Sequence, residues 1–200
     1  CLILVSVNLF LDIVANVINH PMEAGINQHY INDAVRKLKS VPGLTVIGVT
    51  GSYGKTSVKF YLQTLLQEKY NVLVTPMGVV RTIRGSLKPT TEIFVCEMGA
   101  RHVGDIKEIC DMVHPEHGVI TSIGPQHLET FFNMENIQKT KFELADALPE
   151  GGMLFLNGDN DYIQQQAASP AYDQTPEKIF YYSETEGTGY CAKDVKVSQL

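Results

Sequence analysis

The segment from Thr50 to Ser57 reads T-G-S-Y-G-K-T-S and contains the residue types that bind a nucleotide phosphate. Glycines let the backbone approach a ligand closely, a lysine adds a point charge, and a following hydroxyl can coordinate Mg²⁺. The alternative is a tight turn with a solvated lysine, because Val49 stands where the common loop has its first glycine. We predict a nucleotide-binding loop formed by Thr50, Gly51, Ser52, Tyr53, Gly54, Lys55, Thr56 and Ser57.

Two residues beyond this loop have side chains suited to metal chemistry. Glu97 ends the apolar run 93–96, and a carboxylate at the carboxyl end of a strand can bind Mg²⁺ directly or through water. His127 follows a predicted strand that ends at Ile123. Each has an ordinary alternative, a solvated glutamate at a strand end and a structural histidine.

Lys141 occupies an unusual position for a lysine. In a predicted helix over 135–148, Ile137, Leu144 and Leu148 share one apolar face, and a rotation of about 100° per residue places Lys141 on that face. Burying an isolated ammonium is costly. Such a lysine reaches solvent, meets a carboxylate or is chemically altered.

Apolar runs and helical periodicity alternate along the chain. Strands are predicted at 44–49, 72–75, 93–97, 118–123, 153–156 and 178–183, and helices after Pro21, from Lys55 to about Glu68, around 106–113 and over 135–148. The pattern predicts an α/β fold with a doubly wound, mostly parallel sheet. Ligands of such sheets bind at the carboxyl ends of the strands, where the residues discussed above would lie.

Composition limits the partners and the location. The formal net charge of -6 provides no general attraction to nucleic acid, so we expect no nucleic-acid partner. Four cysteines without C-x-x-C spacing are typical of reduced thiols and predict a cytoplasmic location. The apolar residues 1–18 are interrupted by Asn8, Asp12 and Asn16, which leaves open either the end of a membrane helix, at the inner face of the membrane, or a helix packed on protein.

Five segments, in this order, resemble motifs of the Mur ligases. The loop at 50–57 is similar to the T-G-[ST]-x-G-K-T-[ST] loop of Mur ligases and folylpolyglutamate synthases, which also lack the usual first glycine. The stretch E-M-G-A-R-H-V-G-D-I at 97–106 resembles the signature of the MurF group, which adds D-alanyl-D-alanine. The segments at 127–129, 140–143 and 157–159 resemble the family's His-Leu-[DE], K-x-E and N-x-D motifs.

The resemblance implies the central ATP-binding domain of a Mur ligase, with ATP and two Mg²⁺ ions as cofactors. Thr56, Glu97, His127 and a carbamylated Lys141 would hold metal. Lys55, His127 and Lys141 would be catalytic, and Asn157 would lie near the adenine.

The implied activity is ADP-forming ligation of a carboxylate to an amine through an acyl phosphate. The expected substrates are a muramyl tripeptide nucleotide and D-alanyl-D-alanine, in peptidoglycan synthesis. Two alternatives stay open, another amide ligase such as folylpolyglutamate synthase and a nucleotide-binding module without catalysis.

Domain organisation follows from the same comparison. Residues 1–43 are expected to form an apolar segment and a lead-in helix in place of the family's uridine-nucleotide-binding domain. Residues 44–200 are expected to form the central domain, incomplete and without the carboxy-terminal ligase domain. The stretch 75–81 lacks the Asn-rich loop that the family has there, which leaves the placement of the substrate open.

Overall fold

The computed structural model describes residues 2–76, 78–170, 172, 179–184 and 189–191. Strands and helices alternate from β1 to β6, as the sequence predicts. The helices are α1 (Leu2–Lys39), α2 (Lys55–Leu66), α3 (Val79–Ser86), α4 (Asp105–Val113), α5 (Leu128–Phe131), α6 (Met134–Asp146) and α7 (Asp161–Ala167). The strands are β1 (Thr45–Thr50), β2 (Val72–Val74), β3 (Ile93–Glu97), β4 (His117–Ile120), β5 (Met153–Asn157), β6 (Ile179–Ser183) and β7 (Tyr190–Cys191).

The strands form one sheet of seven in the order β2-β3-β1-β4-β5-β6-β7, and each neighbouring pair is parallel. From β1 the chain builds β2 and β3 on one side and then crosses to β4 on the other. Ligands of open parallel sheets bind where the strand order reverses in this way. The predicted fold class, an α/β doubly wound parallel sheet, is confirmed, and the loops after β1, β3 and β4 meet at its switch point.

Helices cover both faces of the sheet. On one face, α2 packs on Val49, Val95 and Val119, which alternate with residues that point to the other side. The opposite face carries the larger core, to which α1, α3, α4, α6 and α7 all contribute. That core includes Phe94, Ile106, Ile120, Phe142, Leu144 and Ile163.

Two glycines in neighbouring central strands let α6 approach the sheet closely. A Cβ added to Gly48 would lie 2.6 Å from Leu144 Cδ1, and one added to Gly118 would lie 3.1 Å from the same side chain. Leu144 fills the space that larger strand residues would occupy. Because Lys141 lies one helical turn before Leu144, this close packing also fixes Lys141 at the carboxyl edge.

The amino-terminal region differs from the prediction. The helix does not begin at Pro21, because α1 runs through this proline from Leu2 to Lys39. Near its carboxyl end α1 packs on α3 and α4, where Ala34 is completely buried. In the part of the chain that the structure describes, no helix has the length and apolar character needed to cross a membrane. The side chains of most of residues 1–18 lie outside the described set, so membrane association and a boundary at residue 43 stay predictions.

The prediction missed the short elements α3, α5, α7 and β7, whose runs are too brief for a clear periodicity. The sequence also predicts one apolar face of this helix, formed by Val58, Tyr61, Leu62, Leu65 and Leu66, and this prediction is partly wrong. Tyr61 and Leu65 are exposed, whereas Lys59 is buried beside Leu62. A helix that covers one face of a sheet buries only the side turned toward the strands, and the outer half of the apolar stripe of α2 faces solvent.

Candidate active site

The phosphate loop connects β1 to α2 and depends on two glycines with positive φ. Gly51 has φ +144°, and a Cβ there would overlap the Thr121 hydroxyl and lie 2.9 Å from the Ser122 carbonyl oxygen. Gly54 has φ +83° and is the N-cap of α2, with no side-chain cap among the described residues. The first amides of a helix have no acceptor within it. They are therefore available to an anion such as a phosphate.

Hydrogen bonds join this loop to the segment after β4. The Ser52 amide donates to the Ser122 carbonyl at 2.6 Å, and the Ser52 hydroxyl donates to the Gly124 carbonyl at 3.0 Å. Thr121 donates its hydroxyl to the Tyr53 carbonyl at 2.5 Å. The phosphate loop and the segment that leads to His127 are thus held as one unit.

Lys55 reaches across the loop that precedes it. Its Nζ donates to the carbonyls of Gly51 at 2.7 Å and Ser52 at 3.2 Å. An ammonium has three donor hydrogens, so one remains for a phosphate oxygen. Burial lowers the pKa of Lys55, and the negative charge of Glu97 acts in the opposite direction.

Glu97 contacts two consecutive turns of α2. The Thr56 hydroxyl donates to Glu97 Oε1 at 2.9 Å, and Lys59 Nζ lies 2.7 Å from Glu97 Oε2. The Lys59 ammonium also donates to the Thr75 carbonyl at 2.8 Å. The predicted metal-binding pair Thr56 and Glu97 is therefore adjacent in the fold.

A cavity of about 450 Å³, which we call the phosphate cavity, brings together the three residues predicted to be catalytic. They come from different parts of the chain, the start of α2, the loop after β4 and the middle of α6. The cavity is lined by Lys55, Gly99, Ala100, Arg101, His102, Asp105, Gln126, His127 and Lys141.

Lys141 is buried, with 3% relative exposure, as its place on the apolar face of α6 predicts. Its Nζ lies 5.8 Å from the centre of the Phe131 ring, and no hydrogen bond or ion pair from a described residue reaches it. Burial lowers its pKa to about 8 and the positive charge of Lys55 adds to this, while Asp105 and Glu143 act in the opposite direction. About a tenth of the amine is therefore uncharged and nucleophilic at pH 7, and about half at pH 8.

His127 has a backbone conformation that is uncommon for a residue with a side chain. It lies in the left-handed region, with φ +55° and ψ +38°, and forms the N-cap of α5. Its carbonyl accepts from the amides of Thr130 and Phe131, each at 3.0 Å. Such conformations cost on the order of 1 kcal/mol and persist where surrounding contacts fix them. This turn directs the chain from the segment after β4 into α5.

Two carboxylates fix the loop after β3. Asp105 Oδ2 accepts from the amides of Arg101 at 2.7 Å and His102 at 2.8 Å. Glu143, two residues after Lys141, accepts from the Gly104 amide at 2.8 Å and from the Lys107 amide at 2.9 Å. The segments that resemble the E-M-G-A and K-x-E motifs are therefore bonded to each other at the amino terminus of α4.

Asn157 lies apart from the phosphate cavity. Its Nδ2 donates to the Thr121 carbonyl at 3.0 Å. Because the Thr121 hydroxyl donates to the Tyr53 carbonyl, Thr121 connects Asn157 to the phosphate loop. It lines a separate cavity of about 440 Å³. Its role beside the adenine stays a prediction. The other lining residues are Asp159, Tyr182, Ser183, Glu184, Tyr190 and Cys191.

The sequence analysis missed Lys59 and gave no separate role to Glu143. Lys59 follows Lys55 by one helical turn and borders the stripe formed by Leu62 and Leu66. Like Lys141, Lys59 is a lysine on a buried helix face, and the same signal in the sequence could have identified it. For Glu143 the only signal was its place in the K-x-E segment, because sequence spacing does not reveal which helix terminus it caps.

The residues present fit a magnesium ion held together with a nucleotide. Across the residues that the structure describes, no three His, Cys, Asp or Glu side chains cluster as a metal site. Mg²⁺ bound with nucleotides takes only one or two protein oxygens and completes its shell with phosphates and water. The adjacent oxygens of Thr56 and Glu97 suit this arrangement. A second ion on His127 and Lys141 stays a prediction that depends on carbamylation.

Residues 49–199 match the model of the Mur ligase middle domain, which covers most of the chain. The chain therefore belongs to the Mur ligase family, in agreement with the resemblance described above. The matched region includes the phosphate loop from Thr50, Glu97, His127, Lys141 and Asn157.

Relatives and a solved structure agree with this assignment. The chain is 35% identical over 131 residues to the UDP-N-acetylmuramoyl-tripeptide--D-alanyl-D-alanine ligase of Mycobacterium bovis, covering 62% of the chain and 26% of that protein. It is 30% identical over 168 residues to the Escherichia coli enzyme of that name, covering 76% of the chain and 37% of that protein. The MurF ligase of Thermotoga maritima, solved in complex with ADP, superposes with a TM-score of 0.69 and 32% identity, covering 80% of the chain and 37% of that structure. The chain thus spans between a quarter and two fifths of the length of these relatives.

Proposed function

We propose that this chain is the ATP-binding part of an ADP-forming ligase that joins a carboxylate to an amine through an acyl phosphate. The proposed substrates are a muramyl tripeptide nucleotide and D-alanyl-D-alanine, which are the substrates in the name shared by the Mycobacterium bovis and Escherichia coli relatives. The proposed pathway is peptidoglycan synthesis. Buried free thiols at Cys96 and Cys110 fit a reducing cytoplasm.

One observation carries this proposal. Lys55, His127 and Lys141 line a single cavity beside the phosphate loop, although 86 residues separate the first from the last. A protein that only binds a nucleotide needs the phosphate loop alone. A protein that transfers the γ-phosphate to a substrate carboxylate also needs cationic or metal-binding side chains on the opposite side of the cavity. The arrangement therefore favours transfer of the γ-phosphate over simple binding.

In the first step, a carboxylate oxygen of the substrate attacks the γ-phosphorus of ATP and the bond to the ADP oxygen breaks. Lys55 and the amides at the start of α2 hold the phosphate oxygens and offset their growing charge. The surrounding residues contribute position and charge because phosphoryl transfer needs little covalent help from protein. The products are ADP and an acyl phosphate.

In the second step, the amine nitrogen attacks the acyl carbon, phosphate leaves, and the amine loses a proton as the amide forms. Bound Mg²⁺ would neutralise phosphate charge. Thr56 and Glu97 would hold one ion, and His127 with carbamylated Lys141 would hold a second. Carbamylation requires the uncharged amine, and the lowered pKa of Lys141 supports it.

Space for the substrate is available next to the phosphate cavity. A larger cavity of about 750 Å³ lies between α1, α3 and α4 and shares Gly99 and Asp105 with the phosphate cavity. Arg81 lines this cavity, and its guanidinium forms no hydrogen bond or ion pair with the described residues. A carboxylate substrate entering here would reach the γ-phosphate past Gly99.

The test is ADP release with Mg²⁺-ATP, muramyl tripeptide nucleotide and D-alanyl-D-alanine, omitting each in turn. Because the chain spans only part of its relatives, the assay uses the 200-residue chain and the longest natural protein that contains it. The proposal predicts release only when all three are present. Release supported by a folate in place of the muramyl nucleotide would indicate a folylpolyglutamate synthase, and ATP binding without release would indicate a non-catalytic module.

A further inference from the structure

Lys59 is a buried cation next to the metal side of the site, and the mechanism above gives it no role. Its relative exposure is 2%. Its ammonium contacts Glu97 Oε2 at 2.7 Å and the Thr75 carbonyl at 2.8 Å. Lys59 thereby ties α2 to the ends of two strands, β2 and β3. A buried charge is retained only when its partners compensate for lost hydration, and here both partners are in place.

The contacts of Lys59 define the orientation of the Glu97 carboxylate. Glu97 Oε1 accepts from Thr56 and Oε2 from Lys59, three residues further along the same helix. The carboxylate cannot rotate without breaking one of these bonds. The Glu97 amide also donates to the Thr75 hydroxyl at 3.2 Å, which fixes its backbone. The oxygen shared with Thr56 is therefore held on the side of the phosphate loop.

We infer that Lys59 is a positioning residue for the magnesium ion that accompanies ATP, acting through Glu97. This role rests on the proposed function. Lys59 occupies Oε2 and leaves the Oε1 edge, beside Thr56, to face the metal. Partners that orient a metal ligand in this way change metal affinity by about 10- to 100-fold when they are removed.

The experiment measures how Mg²⁺ concentration controls binding of a fluorescent ATP analogue to the full chain. Lys59→Met should raise the Mg²⁺ concentration for half-saturation at least about tenfold. Nucleotide affinity in EDTA should change less than about twofold, because phosphate contacts through Lys55 remain. Lys59→Arg should restore most of the Mg²⁺ affinity. Lys69→Met, at an exposed lysine just after α2, is the matched control and should behave like the wild type.

A second variant shows whether Lys59 acts through Glu97. In a Glu97→Gln background, Lys59→Met should cause little further change in the Mg²⁺ requirement, because the oriented carboxylate is already lost. This comparison also remains informative if Lys59→Met alone folds poorly, since the double variant leaves no unpaired buried charge.

Three results would overturn the inference. An unchanged Mg²⁺ requirement in folded Lys59→Met, or equal losses of nucleotide affinity with and without Mg²⁺, would make Lys59 a structural residue only and leave the proposed function intact. A wild-type chain that binds no nucleotide in the presence of Mg²⁺ would overturn the proposed function and this role together.

Discussion

Lys59 and Lys141 are buried to nearly the same extent, at 2% and 3% relative exposure, but their surroundings differ. Lys59 has a carboxylate and a carbonyl as partners, whereas Lys141 faces an aromatic ring and a cavity and donates no hydrogen bond to the described residues. The first environment offers the ammonium two oxygen partners. The second favours the uncharged amine, which is the form that carbamylation requires. Burial alone therefore does not define the role of a lysine, and the partners of its nitrogen do.

The largest expected effect distinguishes Lys141 as a chemical participant. Lys141→Ala should reduce ADP release by about a thousandfold, because an anionic metal-binding group is lost. Short carboxylic acids added to the assay should restore part of the activity. Lys139→Ala is the control, since Lys139 is exposed on the same helix and forms an ion pair with Glu135. Full activity of unrescued Lys141→Ala would remove the proposed role.

The free energy of unfolding should respond differently to substitution of the two lysines. Lys59→Met should lower the free energy of unfolding by about 3 kcal/mol, because Glu97 loses its partner while mostly buried. Lys141→Met should leave it unchanged or raise it by roughly 1 to 3 kcal/mol, since it removes an ammonium whose pKa is lowered to about 8. Urea unfolding in CO₂-free buffer at neutral pH measures both. Destabilisation of similar size in the two variants would show that the environments are equivalent.

A pH series isolates the contribution of Lys141. Its folded pKa of about 8 lies below the ordinary value of 10.5, so between these values the unfolded chain binds more protons than the folded one. Stability relative to Lys141→Met should therefore be lowest below pH 8 and recover as the pH rises toward 10.5. Urea unfolding of the two proteins at several pH values gives this difference. A constant difference across the range would mean that the Lys141 pKa is not lowered.

The smallest expected effect concerns Glu143, whose carboxylate accepts hydrogen bonds at the start of α4 and whose charge raises the pKa of Lys141. Glu143→Gln should lower the free energy of unfolding by about 1 kcal/mol, because the Glu143 carboxylate caps the positive end of α4. It should also lower the Lys141 pKa further, since Glu143 raises it. Glu150→Gln is the control, because Glu150 is an exposed glutamate that follows α6, the helix that contains Glu143. No difference between the two variants in urea unfolding would contradict a stabilising role for Glu143 as the cap of α4.

The sequence was sufficient for the loop between β1 and α2, the alternating strands and the burial of Lys141, because each depends on local spacing. It was insufficient for Lys59 and Glu143, whose partners Glu97 and Gly104 lie on other elements about 40 residues away. Their pairing depends on strand order and helix packing, which residue spacing does not encode. The path of α1 through Pro21 was missed because proline more often opens a helix than lies within one.

The contrast between the two lysines is tested most directly by carbon-13 NMR of the chain with labelled bicarbonate at about pH 8, near the lowered pKa of Lys141. We expect a carbamate signal in the wild type that disappears in Lys141→Met and persists in Lys139→Met and Lys59→Arg. A carbamate signal that survives in Lys141→Met unchanged, or its absence from the wild type, would contradict the assignment of Lys141 as the modified lysine.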